Sequence, residues 1–274
     1  MVTLKDALIG KLTAGQLKLV PSAFDIVGDL AIFAEFSDTL KSKEKLIGET
    51  LLRLNSQLRV VLKKTGKYGG KYRTPKLKII AGERRKETML VENGCRFRLH
   101  AENVYYSVRS GTERKRVFSL VGPGERVLVM FSGIGAYPIT IAKHSRAKEI
   151  VGVEINPVAH AYGLENVALN KIDNVALIEG DVLKILPKLK GKFDRILMPL
   201  PRDAEKFLDV ALSVAKKGTV IHLYSFGPES GEDAKAAARE ACMGHRKKSR
   251  ILRVVKCGSF GPGISRICVD FRIV

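Results

Sequence analysis

Gly133 and Gly135, in the segment SGIGAYP, form a pair of the kind that lets backbone approach a ligand, and Glu154 lies 19 residues beyond Gly135. An apolar run precedes the glycines, a helical pattern follows them, and a second apolar run ends at Glu154. In that setting an acidic side chain can bind the two ribose hydroxyls of an adenosine. The third glycine of a pyrophosphate-binding fingerprint would fall at Pro138. A proline there is wrong for bringing a helix N-terminus close to a diphosphate, so the pattern points to S-adenosyl-L-methionine rather than NAD. Asp181, in EGDV, is placed either to accept from an adenine amino group or to cap the helix expected over VLKILPKL. Phe131, Gly133, Gly135, Glu154 and Asp181 are the candidate cofactor contacts of this half of the chain.

The elements that must position them repeat along the sequence. Apolar runs at 126–132, 149–156, 174–181, 193–200 and 219–226 alternate with segments such as PVAHAYGLENVALNK that can present an apolar helical face. Two extended runs, ILRVVKCGSF and ISRICVDFRIV, follow and are joined by GPG, which predicts an antiparallel hairpin. A parallel sheet closed by such a hairpin resembles the Rossmann-like class I methyltransferases. The expected fold class is therefore α/β, with that sheet over 116–274 preceded by a smaller α+β RNA-recognition domain over 1–115. In the earlier domain KSKEKLIGETLLRLNSQLRVVLKK predicts an amphipathic helix, and KLKIIAG and CRFRLHA predict strands.

Charge separates the two halves. The chain of 274 residues has 48 Lys and Arg against 28 Asp and Glu, a net charge of +20. Residues 41–120 carry +14 of it and 241–274 carry +7, while 121–240 are nearly neutral at +1. Lys63, Lys64, Lys67, Lys71, Arg84, Arg85 and Lys86 share the first of these windows with Tyr68, Tyr72, Tyr105 and Tyr106. Cations among aromatic rings pair phosphate contacts with base stacking, so these seven are the candidate RNA contacts. Globular proportions of 45% hydrophobic and 28% charged residues exclude a disordered basic tail or a coiled coil. The absence of a long apolar run predicts a cytoplasmic protein with no membrane segment. Cys95, Cys242, Cys257 and Cys268 are spaced too widely for a CxxC metal site, so no metal is expected and buried thiols are.

With these residues in hand, the chain resembles the archaeal and eukaryotic tRNA (guanine-37) N1-methyltransferase family. The likeness runs from VPSAFDIVGDLAIF through KYRTPKLKIIAGERRKET, ENGCRFRL and VYYSVRSGTER into the catalytic core. It implies transfer of a methyl group from S-adenosyl-L-methionine to N1 of guanine 37, with the tRNA anticodon stem-loop as partner and no obligate protein partner. Carried over by motif, Arg73 in KYRTPKL stabilises O6 and Glu113 in GTER is the general base. Tyr105 and Arg114 lie beside the cofactor and substrate, and Pro199 and Pro201 in MPLPR belong to the loop after the fourth strand of the core. The sequence departs from the family at Pro199, where many relatives have Asn, at Val129 in place of Asp, and at Val108 in place of Pro. It also resembles a short form, without the additional amino-terminal module of many members.

Guanine N1 bears a proton and becomes a nucleophile only when that proton leaves, which puts charge on O6. A carboxylate at one atom and a guanidinium at the other answer both needs, and no covalent intermediate or metal is required. The base must leave the anticodon-loop stack, where Tyr106 or Tyr137 could pack against it. Two rivals remain: aminocarboxypropyl transfer of the wybutosine pathway on the same fold, and a non-catalytic tRNA-binding protein.

Overall fold

The computed structural model describes residues 2–66, 69–200, 202–261 and 263–274, so Lys67, Tyr68 and Pro201 of the expected site lie outside the described residues. The chain divides into two compact units, Met1–Val108 and Arg109–Val274.

The first unit contains α1 (Ala14–Leu19), β1 (Asp25–Val27), β2 (Leu30–Phe33), α2 (Glu44–Leu54), β3 (Val60–Lys64), β4 (Leu77–Gly82), β5 (Glu87–Glu92) and β6 (Cys95–His100). Strands β1 to β4 form one sheet in sequence order, and β5 and β6 form a separate hairpin. Ile47 and Leu51, one turn apart on α2, are buried with Phe33, Leu40 and Val61, which is the core of this unit. The hairpin turns at Asn93 and Gly94, both at positive φ (48° and 70°), the conformation that asparagine and glycine tolerate best.

One expectation is corrected here. The helix predicted through Lys64 stops at Leu54, where the Asn55 side chain donates to the Leu51 carbonyl. Val60, Val61 and Leu62 are all buried and form β3, which runs parallel to β2. A parallel strand covered on both faces reads as a continuous apolar run, and VVL satisfies that demand better than helical spacing does.

The second unit contains α3 (Gly111–Phe118), β7 (Arg126–Met130), α4 (Ala136–His144), β8 (Glu149–Glu154), α5 (Pro157–Leu169), β9 (Val175–Glu179), α6 (Val182–Ile185), β10 (Phe193–Met198), α7 (Leu208–Ser213), β11 (Ala215–Gly227), α8 (Glu232–Gly244), β12 (Ser249–Gly261) and β13 (Ile264–Ile273). Its seven strands lie in the order β12-β13-β11-β10-β7-β8-β9. Pairing is parallel from β9 to β11, and β13 then inserts antiparallel between β11 and β12. This is the parallel sheet with a final antiparallel hairpin that the sequence predicts. Strand order reverses between β7 and β10, so the crevice outside their carboxyl ends is the place where such a sheet binds ligands. Among the described residues no helix is long and apolar enough to cross a membrane.

Candidate active site

The loop leaving β7 is shaped by backbone. Phe131, Gly133 and Gly135 have φ of 60°, 57° and 82°, and Gly135 opens α4. Gly152 of β8 makes room for it, since a Cβ there would stand 3.0 Å from Ser132 Cβ, and Gly163 of α5 makes room for Leu177 of β9, whose Cδ1 would be 2.8 Å from a Cβ at that position. The buried Asn166 side chain donates to the Ile134 carbonyl at 3.1 Å and anchors the loop to α5.

Glu154, at the end of β8, meets the same loop. Its Oε2 accepts from the Gly133 N–H at 2.7 Å and its Oε1 from the Asn156 N–H at 2.8 Å. Burial pushes this carboxyl above the usual carboxylate range, and the N–H groups of Asn156 and Gly133 offset that only in part. A carboxylate accepts about four hydrogen bonds, so capacity remains for hydroxyl donors. Ser132 Oγ, next to Gly133, is buried and has no hydrogen-bond partner among the described residues. An acceptor-rich carboxylate, a glycine cradle and an orphaned hydroxyl on one loop fit the ribose and neighbouring polar groups of an adenosine cofactor. Asp181 caps α6 through the Leu183 N–H at 2.9 Å, the second of its two expected roles.

Glu113 is not the surface residue that its charged neighbours suggest. It sits in the first turn of α3 at 6% exposure. Arg116 Nε donates to its Oε2 at 2.7 Å, while Arg116 Nη2 at 2.7 Å and the Tyr224 hydroxyl at 2.6 Å donate to its Oε1. Tyr137, two residues past Gly135, donates its hydroxyl to that of Tyr224 at 3.1 Å. On the other side Arg116 Nη1 reaches Asp270 at 2.6 Å, and Asp270 binds His222 Nδ1 at 2.6 Å. Arg195 Nη1 lies 2.8 Å from His222 Nε2. A guanidinium only donates, so Nε2 must accept, and His222 is the neutral tautomer with its proton on Nδ1. Burial lowers the His222 pKa to the same effect. Asp270 is held well below the usual range: its burial acts the other way but is outweighed by His222 and Arg116.

The remaining expected residues distribute as follows. Arg114 is buried with its guanidinium 5.8 Å from the Tyr137 ring centre. Pro199 is half-buried after β10, in a segment that offers no side-chain amide. In the first unit Arg73 holds φ of 50° at the end of a turn closed on Gly70, and Tyr105 is 46% exposed beside a cleft that Tyr106 and Lys64 also line. Lys71 and Arg84 are exposed. Three of the expected RNA contacts are spoken for internally. Lys63 is 7% exposed, 2.7 Å from Glu44 and over the Phe36 ring, which removes it from the phosphate-reading set. Arg85 is engaged by Asp29 and Glu83, and Lys86 by Glu102. Tyr137, offered as a stacking ring, is instead 8% exposed and bonded to Tyr224.

Sequence reasoning missed Arg116, His222, Tyr224 and Asp270 as site residues. The signals were present: His222 and Tyr224 alternate on one face of an otherwise apolar strand, and Asp270 is the one acidic residue in 241–274.

Residues 88–252 match the TRM5/TYW2 methyltransferase domain family, and residues 4–85 match the TYW2 N-terminal domain family. The chain belongs to the TRM5/TYW2 methyltransferase family. Within it the chain is 39% identical over 260 residues to the tRNA (guanine(37)-N(1))-methyltransferase Trm5b of Pyrococcus abyssi, covering 93% of this chain and 76% of that protein. The crystal structure of that Trm5b superposes with a TM-score of 0.85 over 96% of this chain and 78% of the other, at 37% identity. A structure of aTrm5 with tRNALeu gives 0.85 over 99% and 78%, at 28% identity. The Nanoarchaeum equitans enzyme Taw22, named a tRNA (guanine(37)-N(1))/4-demethylwyosine(37)-methyltransferase, is 34% identical over 78% of this chain and 86% of its own length.

Proposed function

We propose that this chain methylates N1 of guanine 37 in tRNA, with S-adenosyl-L-methionine as methyl donor. The observation that carries the reading is the Glu113 carboxylate, kept inside the unit and tied through Tyr224 to Tyr137 at the start of the cofactor-loop helix. In this reading Glu113 takes the N1 proton, and Arg73 offsets the charge left on O6. Glu154 accepts from the ribose hydroxyls, and the Gly133–Gly135 loop lets the backbone lie against the cofactor. S-Adenosyl-L-methionine supplies an electrophilic methyl group on a sulfonium. Lys71 and Arg84 contribute phosphate contacts. We place the reaction in the cytoplasm, where the Cys242, Cys257 and Cys268 thiols remain reduced.

The test is incubation with labelled S-adenosyl-L-methionine and tRNA transcripts that differ only at position 37. Label on guanosine-37 transcripts alone, recovered as 1-methylguanosine, is the expected result. A second reading is favoured by Pro199, which leaves no side-chain amide in MPLP to recognise a guanine edge. It is methylation of 4-demethylwyosine at the same position, the other activity in the name of Taw22. Label only on tRNA carrying that base would select it, and a four-carbon amino acid adduct would select aminocarboxypropyl transfer.

A further inference from the structure

Two buried phenols in the second unit have hydroxyls that, among the described residues, serve one another and Glu113. Tyr137 donates to Tyr224 at 3.1 Å, and Tyr224 donates to Glu113 Oε1 at 2.6 Å. Both rings are buried, at 8% and 3% exposure, and they meet edge to face with centroids 6.3 Å apart. Phenylalanine would fill either place and spare the cost of burying a hydroxyl. The direction of the bonds is fixed, because an ionised carboxylate can only accept. Both hydroxyl protons therefore point toward Glu113, and the pair cannot carry a proton away from it without reversing.

Arg116 is braced in the same manner. Its guanidinium spans Glu113 and Asp270, Asp270 is held by His222, and His222 by Arg195, whose Nε and Nη2 bond Glu125 at 2.7 and 2.8 Å. This chain crosses the unit from α3 through β13, β11 and β10 to the loop before β7. A buried ionic chain seldom adds stability over an apolar packing of equal volume, so its presence calls for another reason. That reason lies at its end, where the carboxylate receives two donors from Arg116 and one from Tyr224.

We propose that Tyr224 is a positioning residue for the base, fixing the orientation of the Glu113 carboxylate, and that Tyr137 acts through it by orienting the Tyr224 hydroxyl. The inference rests on the reading of Glu113 as the proton acceptor. The carboxylate is met by Arg116 from its own helix and by Tyr224 from β11, with Tyr137 of α4 behind Tyr224 and Arg114 over the Tyr137 ring. From the terminal hairpin the Cys257 thiol on β12 and the Cys268 thiol on β13 feel its charge, and burial together with Glu113 keeps both protonated, while Asp270 on β13 lies beyond Arg116. Removing the Tyr224 hydroxyl takes away one of the donors that fix the Glu113 carboxylate, so its oxygens are less well aimed at the proton they take.

The experiment measures single-turnover methyl transfer at saturating tRNA for wild type, Tyr224→Phe, Tyr137→Phe, the double variant and Glu113→Gln, with tRNA affinity and Tm recorded for each. For Tyr224→Phe the expected result is a saturating rate about tenfold lower with tRNA affinity within twofold, tenfold being about 1.36 kcal/mol of barrier. Tyr137→Phe should lower the rate by a smaller factor, and should add nothing in the Tyr224→Phe background. A Tyr224→Phe enzyme with the wild-type rate overturns the inference, whether or not its Tm is lowered, and so does a double variant in which the two losses simply add. If Glu113→Gln retains the wild-type rate, the base assignment falls and takes the inference with it. Loss of rate in Glu113→Gln beside a wild-type Tyr224→Phe overturns the inference alone.

Discussion

A carboxylate proposed to take a proton is here enclosed by donors, and at the residue scale this sets two expectations. Glu113→Ala should lower single-turnover methyl transfer by about a hundredfold or more, the usual contribution of a positioned base, with tRNA affinity in a filter-binding assay within twofold of wild type. An unchanged rate would remove it as the base. The second concerns acid stability. His222 is buried neutral, so its folded pKa lies below the unfolded value of 6.5. The native state then binds fewer protons than the unfolded chain, and its contribution, complete above that value, is lost as pH falls through it. Asp270 has the same sign in a lower window: its stabilisation is present above the unfolded value of 3.8 and is lost as pH drops below it. Tm measured from pH 8 to pH 5 should decline first through His222, and His222→Gln should flatten that decline. A wild-type Tm constant over the interval would contradict the neutral tautomer.

At the scale of elements, the cofactor loop is fixed from α5 as much as from β7. Asn156 caps α5 by accepting from the Val158 N–H at 3.0 Å, while its own N–H binds Glu154. Asn156→Ala should cost about 1 kcal/mol of stability by urea unfolding, the ordinary worth of such a cap. It should also weaken S-adenosyl-L-methionine binding in calorimetry by loosening the turn that carries Glu154. Equal affinity in wild type and variant would confine the residue to helix capping. These elements were legible because their signals are local: a strand, glycines, a helix and an acid at a fixed interval. The RVVLKK strand was not, because its partner β2 lies some thirty residues away and a short apolar run fits either period. The support of Glu113 was hidden for the same reason. Arg116 is three residues away, but Tyr224 and Asp270 are separated from Glu113 and Arg116 by 111 and 154 positions and meet them only through the order of the sheet.

Over the whole molecule, the excess of +20 is not all available to a polyanion. Lys63, Arg85, Lys86, Arg116 and Arg195 direct their charge to internal carboxylates. The exposed cations Lys71, Arg84, Lys248 and Arg250 remain as candidates for phosphate. Replacing these four with alanine should weaken tRNA binding and reduce the slope of log K against log salt by about 0.7 to 0.9 for each phosphate no longer neutralised. Lys63→Ala should leave the slope unchanged and lower Tm, because it strips a partner from buried Glu44. A slope insensitive to the four replacements would move the phosphate-binding surface elsewhere.

Strand β12 gives that surface charge a second consequence. It is 13 residues long, it forms an edge of the seven-stranded sheet, and its outer row of backbone groups could template a strand from another copy. Arg250 is exposed along it, Arg253 and Lys256 are engaged by Asp270 and Glu229, and its register with β13 shifts at three places. Irregular pairing denies a newcomer a continuous ladder, and like charges keep two such edges apart. Arg250, a cation suited to a nucleic acid, thus also guards the protein against joining edge to edge with itself, a protection that concentrated salt would erode.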